Sequence, residues 1–250
     1  MVLTNNITGL IVAREFSRVK REPSRIIGML VQPLIFLVVF GMGFHKSFRL
    51  SDHVDLSYSS FFYPGVLALV VLFASIYATL TLVDDKKCGF FRLVFVSPAG
   101  VFGALRGKIV ATTLLGFSQS LLFLPLMFFL SIKISFSQII ILLVILFLGA
   151  LCFALLGVLF AWLAPTSSAF HALMSIILIP MWLLSGAMFP LDNIWLSSSS
   201  VINPMAYLVK SLRCCLLQSE HWIYHALVLA LFCVFFALLL MQAIKRRPIE

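Results

Sequence analysis

Charged residues are scarce in this sequence, and their scarcity is the first guide to the class of protein. Asp, Glu, Lys and Arg make up 11% of the 250 residues, whereas 62% are hydrophobic. Soluble domains carry about a quarter charged and about half apolar residues. The composition therefore predicts an integral membrane protein. A net charge of +9 would suggest nucleic-acid binding in a soluble protein. Here the basic residues flank apolar runs, so we expect no nucleic-acid partner.

Catalytic and metal-binding motifs are missing as well. The five cysteines show no CxxC-type spacing, and no paired carboxylates, serine–histidine arrangement or phosphate-binding glycine loop appears. The first 25 residues hold no continuous apolar core, which argues against a cleavable signal peptide. We therefore expect no enzyme activity, no metal and no cofactor on this chain. Any work that it does must be energised by another protein.

Six apolar runs are long enough for membrane crossing, which needs about 20 mostly apolar residues per helix. No Asp, Glu, Lys or Arg lies inside them, which argues against an ion-coupled carrier. We predict an all-α polytopic membrane protein, one transmembrane domain covering residues 1–250. The predicted spans, numbered one to six, are 26–44, 61–83, 109–131, 138–163, 169–189 and 222–244.

The distribution of Lys and Arg predicts the orientation, because cytoplasmic loops carry an excess of basic residues. With the N-terminus in the cytoplasm, 13 of the 18 Lys and Arg residues fall on the cytoplasmic side and 5 on the other. Six spans then return the C-terminus to the cytoplasm. We expect a bacterial inner (cytoplasmic) membrane as the location.

The N-terminal segment, residues 1–25, has a helical pattern of basic residues. Spacings of four, three and four place them on one face of a helix, and Pro23 would bend or end that helix. We predict an amphipathic interfacial helix whose basic face lies near anionic lipid headgroups. The alternative is a short basic tail that only fixes orientation. The four basic residues are Arg14, Arg18, Arg21 and Arg25.

The segment between spans five and six, residues 190–221, mixes apolar and polar residues. Backbone enters hydrocarbon only where its polar groups are satisfied, so we predict short re-entrant helices on the outer side. A plain extracytoplasmic loop is the alternative. Within the spans, Gln32 and Gln119 either hydrogen-bond between helices or line a path. The candidate residues of the re-entrant region are Pro190, Asn203, Pro204, Tyr207 and Arg213.

Four short motifs, in order along nearly the whole chain, resemble the permease subunits of type 2 ABC exporters of the daunorubicin-resistance, nodulation and O-antigen export group. "FFYPGVLALVVLFASIY" is similar to the start of span two in that family. "DDKKCGFFRLVFVSPAGVFGALRGK", residues 84–108, resembles its charged segment between spans two and three. "LSGAMFPLDNIW" and "NPMAYLVKSLR" resemble the pair before span six. One departure is that Phe90, Phe91 and Arg92 follow Gly89, where many members have Glu.

The resemblance implies that residues 84–108 form a cytoplasmic coupling helix that docks on a separate ATP-hydrolysing subunit. The aromatic residues suit an apolar cleft and the charged residues its rim, whereas a loop serving only orientation would not need the aromatics. The expected docking residues are Asp84, Asp85, Lys86, Lys87, Gly89, Phe90, Phe91, Arg92, Phe95, Ser97 and Pro98.

The implied function is that of an exporter permease working as a homodimer, with ATP and Mg bound to the partner ATPase. The expected cargo is an amphipathic drug, lipid or lipid-linked glycan, and the surrounding lipids are further partners. Two alternatives remain open at this point. One is a non-transporting scaffold that recruits a soluble protein through residues 84–108, and the other is an ion-coupled carrier.

Overall fold

The fold is a bundle of helices in a computed structural model that describes residues 2–43, 58–90, 100–130, 132, 134–188, 200–216 and 221–246. Those residues form helices without any strand, as the apolar composition predicts. The helices are α1 (Val2–Arg21), α2 (Pro23–Gly43), α3 (Tyr58–Lys87), α4 (Gly100–Phe123), α5 (Leu126–Phe129), α6 (Phe136–Leu163), α7 (Ser167–Leu183), α8 (Pro204–Leu216) and α9 (Trp222–Arg246).

Four helical stretches in the described part of the chain are long and apolar enough to cross a membrane. They match the predicted spans two, three, four and six. Two shorter apolar helices, Leu30–Gly41 and Ser167–Leu183, lie where spans one and five are predicted. A total of six spans therefore stays a prediction. The four long stretches are Tyr58–Lys87, Gly100–Phe129, Phe136–Leu163 and Trp222–Arg246.

Helix α3 is the centre of the bundle. Its most apolar 18-residue window is 89% buried, and it packs against α2, α4, α6, α7 and α8. A helix that is apolar on all sides is expected in such a position. Small residues allow close approach, because a Cβ atom on Gly116 would lie 2.2 Å from Ser75 Oγ and one on Gly157 would lie 2.8 Å from Thr79 Oγ1.

Helix boundaries follow local chemistry. Helix α1 ends at Arg21 and Pro23 opens α2, so the predicted break at Pro23 is present. Ser135 caps α6 in a capping box with Gln138. Helix α6 ends at Leu163, just before Pro165, and Thr166 then caps α7 by accepting a hydrogen bond from the Ala169 amide.

The helices on both sides of the predicted coupling segment reach further into it than its boundaries, 84–108, suggest. Helix α3 continues to Lys87 and α4 already begins at Gly100. The polar residues of the last turn of α3 remain helical because they find partners on neighbouring helices, as described below. Residues 91–99 lie outside the described part of the chain, so only residues 88–90 of the connection are described.

Candidate functional site at the charged end of the bundle

The ends of α3 and α6 and the beginning of α4 lie at the same end of the bundle, here called the charged end. Helix α1 packs beside them, against α4. The approach of α1 is close because position 107 is glycine. A Cβ atom there would lie only 2.9 Å from Ile11 Cβ. Charged side chains of three helices are thereby brought within contact distance of each other.

The first element of this site is a carboxylate shared by two arginines. Arg14 donates to both oxygens of Asp85, at 2.7 and 3.2 Å. Arg18 donates to Asp85 Oδ1 at 2.8 Å. The Asp85 side chain is 4% exposed. Bidentate arginine–carboxylate contacts are among the stronger hydrogen bonds in proteins, so they tie α1 to the end of α3.

The second element is a buried lysine. Lys108 Nζ lies 2.9 Å from Glu15 Oε2 and 3.8 Å from Asp85 Oδ2. The side chains of Lys108 and Glu15 are 3% and 1% exposed. Thr81 completes the arrangement by accepting a hydrogen bond from Lys108 and donating one to Glu15 Oε2 at 2.9 Å. The ion cluster, defined as Arg14, Glu15, Arg18, Asp85 and Lys108, thus joins α1, α3 and α4.

A second set of contacts joins the end of α3 to the turn between α6 and α7. Lys86 Nζ donates to the carbonyl oxygens of Trp162 and Ala164 at 2.9 and 2.8 Å. These carbonyls lie at the C-terminus of α6, where basic side chains commonly bond the last carbonyl oxygens of a helix. Lys87 donates to Ser167 Oγ at 3.0 Å, and that hydroxyl donates to Asp84 at 3.2 Å.

The chain leaves α3 through a glycine turn directly beside the ion cluster. Gly89 has a φ of +72°, the left-handed conformation that commonly ends helices. Phe90 follows, and the Arg14 guanidinium lies 4.2 Å from the centre of its ring. The segment predicted to dock therefore starts in contact with the ion cluster. Phe91, Arg92, Phe95, Ser97 and Pro98 lie outside the described residues.

The predicted docking residues on α3 face in different directions. Asp84 and Lys87 are exposed, whereas Asp85 points inward to Arg14 and Arg18. Asp85 therefore offers almost no surface to a second protein, and of the acidic pair in the predicted docking segment only Asp84 does. Neighbouring positions on a helix point about 100° apart, so adjacent residues need not share a role.

The predicted basic face of α1 is divided as well. Arg14 and Arg18 turn toward Asp85, and Arg21 is exposed. The side chain of Arg25 lies outside the described part. Of the two glutamines, Gln32 is exposed on α2. Gln119 is buried on α4 and lines a cavity of about 420 Å³ between α1 and α4, together with Phe16, Ser17, Val19, Lys20, Leu115, Ser118 and Leu122.

The opposite end of the bundle holds the predicted re-entrant residues that are described. Asn203 accepts a hydrogen bond from the Met205 amide as α8 begins at Pro204, and it donates to the Met181 carbonyl. Tyr207 donates to the Val201 carbonyl at 3.1 Å. Pro190 lies outside the described residues.

Arg213 is the charged anchor of that opposite end. Its guanidinium donates to the Gly186 carbonyl at 3.0 Å and lies 3.9 Å from the centre of the Phe61 ring. Burial lowers the pKa of Arg213 to about 10, so it stays protonated at neutral pH. Arg213 therefore makes structural contacts at this end from a partly buried position.

The pairing of Glu15 with Lys108 is the feature that sequence reasoning missed. Two features of the sequence point weakly to this pairing. Glu15 is the only acidic residue within the basic face of α1, and Lys108 directly precedes a predicted span. A carboxylate between arginines, and a cation at the edge of an apolar run, both need a partner when buried. The partner of each was not predictable, because they are 93 residues apart.

An all-helical bundle of apolar, membrane-length helices defines a multi-pass membrane protein. The chain belongs to the ABC-2 type transporter family, whose sequence profile matches residues 8–217. It is 31% identical over 209 residues to a protein of Cyanophora paradoxa named transport permease ycf38, covering 82% of this chain and 72% of the relative. It is 26% identical over 202 residues to nodulation protein J of Neorhizobium galegae, covering 78% and 74%.

These findings confirm the resemblance to type 2 ABC permeases seen in the sequence. The relatives are transporters rather than enzymes by family. Membership in the family implies partnership with an ATP-binding subunit. The ion cluster therefore lies in a membrane transport permease, beside the segment that links α3 to α4.

Proposed function

We propose that this chain is the permease subunit of an ATP-driven exporter that moves an amphipathic drug, lipid or lipid-linked glycan. It works as a homodimer in a bacterial cytoplasmic membrane, with both termini in the cytoplasm, and a separate subunit hydrolyses ATP. The observation that carries the proposal is the attachment of the segment between α3 and α4. Through the ion cluster and Lys86, the helices around this segment are bonded to α1 and to the α6–α7 turn.

A docking segment needs firm attachment if it is to transmit movement. A flexible loop would absorb a push from the ATP-binding subunit, whereas a helix end held by ion pairs passes it to the bundle. Asp85 bonds α3 to α1, Lys108 bonds α4 to α1, and Lys86 bonds α3 to α6. Movement of the segment that follows Gly89 therefore reaches four helices directly.

The cargo class follows from what the spanning helices contain. Residues 58–83, 136–163 and 222–244 contain no Asp, Glu, Lys or Arg. Strongly hydrated ions would meet no charged group in these helices, whereas a molecule with an apolar part would be tolerated. The composition therefore supports an amphipathic cargo, and it supports coupling to ATP rather than to an ion gradient.

The docking role is tested by co-purification with the ATP-binding subunit. Replacing Phe91 and Phe95 by alanine should reduce the bound subunit by about tenfold or more, because buried aromatic anchors dominate such interfaces. A matched control replaces Phe128 and Phe129, which are exposed at the opposite end of the bundle. Equal amounts of bound subunit in the two double variants would contradict the docking role.

Two measurements separate the proposal from the alternative functions. In reconstituted vesicles, an amphipathic substrate should stimulate ATP hydrolysis by the complex, whereas a scaffold would show no stimulation by any lipid or drug. Dissipating the ion gradient with an uncoupler while ATP is supplied should leave transport intact. Transport that stops under those conditions would favour an ion-coupled carrier.

A further inference from the structure

Two buried polar atoms of the ion cluster make no hydrogen bond with any described residue. They are Glu15 Oε1 and Arg18 Nη1, and they face each other at 3.7 Å. A buried charged group without a hydrogen bond is unfavourable. A shift of less than 1 Å between these two atoms would form a charge-assisted hydrogen bond. The two groups thus form an ion pair that lacks a hydrogen bond.

Lys108 has a similar choice between two carboxylates. Its ammonium group lies 2.9 Å from Glu15 and 3.8 Å from Asp85. Asp85 is meanwhile occupied by Arg14 and Arg18. If Arg18 turned to Glu15, Asp85 would hold one cation fewer and would bind Lys108 at Oδ2, where Arg14 is bonded only at 3.2 Å. The Arg18–Glu15 and Lys108–Asp85 hydrogen bonds would then form together. The Arg18–Asp85 and Lys108–Glu15 contacts would be lost at the same time.

We propose that the ion cluster works by this exchange of partners during transport, with Glu15, Asp85 and Lys108 as positioning residues. In the observed arrangement Lys108 holds Glu15, and Asp85 holds both arginines. In the second arrangement Lys108 holds Asp85, and Arg18 holds Glu15. Arg14 stays on Asp85 in both arrangements.

The exchange changes which helices are bonded to each other. The Lys108–Glu15 pair joins α4 to α1, whereas a Lys108–Asp85 pair joins α4 to α3. The contact between Arg14 and Asp85 keeps α1 bonded to α3 throughout. The exchange therefore removes the ionic contact between α1 and α4 and keeps the one between α1 and α3, which favours movement of α1 together with α3. Residues of the docking segment follow α3, and Phe90 lies against Arg14, so a pull on that segment acts directly on the exchanging groups.

An exchange is far easier than a simple separation of these charges. Removing the partner of a buried ion is strongly destabilising. In the exchange every cation keeps a carboxylate, so this penalty is avoided. A cavity of about 420 Å³ separates α1 from α4 further along, where it is lined by Phe16, Val19 and Lys20 of α1.

The test measures the distance between α1 and α4 with spin labels. Leu10 on α1 and Phe102 on α4 are exposed and are replaced by labelled cysteines, with Cys88 and Cys214 replaced by serine. Labelled chains are diluted with unlabelled ones to exclude signals between copies. A matched pair, Val144 on α6 and Leu231 on α9, reports on helices outside the ion cluster.

Trapping the complex with ATP and vanadate should change the Leu10–Phe102 distance by about 1–2 Å or more, the scale of helix shifts in such transitions. The Val144–Leu231 distance should stay constant.

Two near-isosteric variants should act in opposite directions. Glu15→Gln removes the charge that holds Lys108 on α1, so the free chain should already show the trapped distance. Asp85→Asn removes the carboxylate to which Lys108 moves in the exchange. The Leu10–Phe102 distance should therefore not change when the complex is trapped with ATP and vanadate.

The Asp85→Asn complex should also hydrolyse ATP about tenfold more slowly while keeping its bound partner. A purely structural role predicts that both variants weaken the fold and shift the distance in the same direction. That outcome, or distances equal to the native ones in both variants, would overturn the exchange. The role in transport rests on the proposed function, but the Glu15→Gln comparison needs only the isolated chain. Failure of the native chain to bind an ATP-binding subunit would refute the proposed function alone.

Discussion

Replacing Lys108 by methionine should lower the free energy of unfolding by about 3–5 kcal/mol, the cost of leaving a buried ion without its partner. The affected ion is Glu15, whose side chain is 1% exposed and whose other neighbours are Thr81 and Arg18. Methionine fills a similar volume without a charge. Titration of the chain from mild detergent into denaturing detergent measures the loss.

The companion variant replaces both Glu15 and Lys108 by methionine. Substitution of a whole buried ion pair by apolar residues is often neutral or stabilising, so the double variant should recover most of the loss caused by Lys108→Met. The control is Lys87→Met, because Lys87 is exposed at the same end of the bundle and should change stability by less than about 0.5 kcal/mol. Additive losses in the double variant would show that Lys108 and Glu15 do not interact.

Much of the helical architecture was predictable because it follows from local patterns. Apolar runs predict the long stretches of α3, α4, α6 and α9, and the prolines predict the breaks near residues 23 and 165. The start of α4 was predicted nine residues too late. The criterion of unbroken apolarity excluded Arg106 and Lys108, although a helix continues through an exposed arginine and through a buried lysine that has a partner.

The ion cluster was not predictable because its members are distant in sequence. Asp85 contacts residues 67 and 71 positions earlier, and such pairs depend on how three helices pack. The sequence also does not indicate which of Asp84 and Asp85 is buried. Since α3 is apolar on all sides, its pattern does not indicate which face of its last turn points inward. Only the approach of α1 decides that Asp85 is buried and Asp84 exposed.

The packing of α1 beside the end of α3 also explains why a basic N-terminal helix need not direct all its charged side chains to lipid headgroups. Two of its arginines are bonded to Asp85 and remain about one-third exposed, at 35% and 31%. Arg21 is exposed. A pattern of basic residues on one face of a helix therefore does not reveal whether lipid headgroups or a buried carboxylate will pair with each of them.

Substitution of Gly65 by valine should have the second large effect, a loss of about 3 kcal/mol in the free energy of unfolding. A Cβ atom at this position would lie 2.7 Å from Ala187 Cβ and 3.0 Å from the Ala187 Cα and carbonyl oxygen. Two of these atoms are backbone, so no change of rotamer relieves the clash. The turn at residues 184–188 would have to move away from α3.

That turn is held at several points, which is why its displacement should be costly. Trp182, just before it, donates to the Gly65 carbonyl at 3.2 Å, and Tyr58 donates to the Met188 carbonyl at 3.3 Å. Arg213 donates to the Gly186 carbonyl. Moving the turn weakens these contacts together, and a buried arginine that loses its acceptors is especially unfavourable. The substitution should therefore also weaken the attachment of α8, the helix that carries Arg213.

The matched control for this prediction is Gly28→Val on α2. A Cβ atom on Gly28 would meet nothing within 4 Å, so the same substitution should change stability by less than about 0.5 kcal/mol. Denaturing-detergent titrations of both variants give the comparison. Equal stability of the two variants would mean that the turn at residues 184–188 does not pack on α3 as closely as the Gly65–Ala187 contact requires.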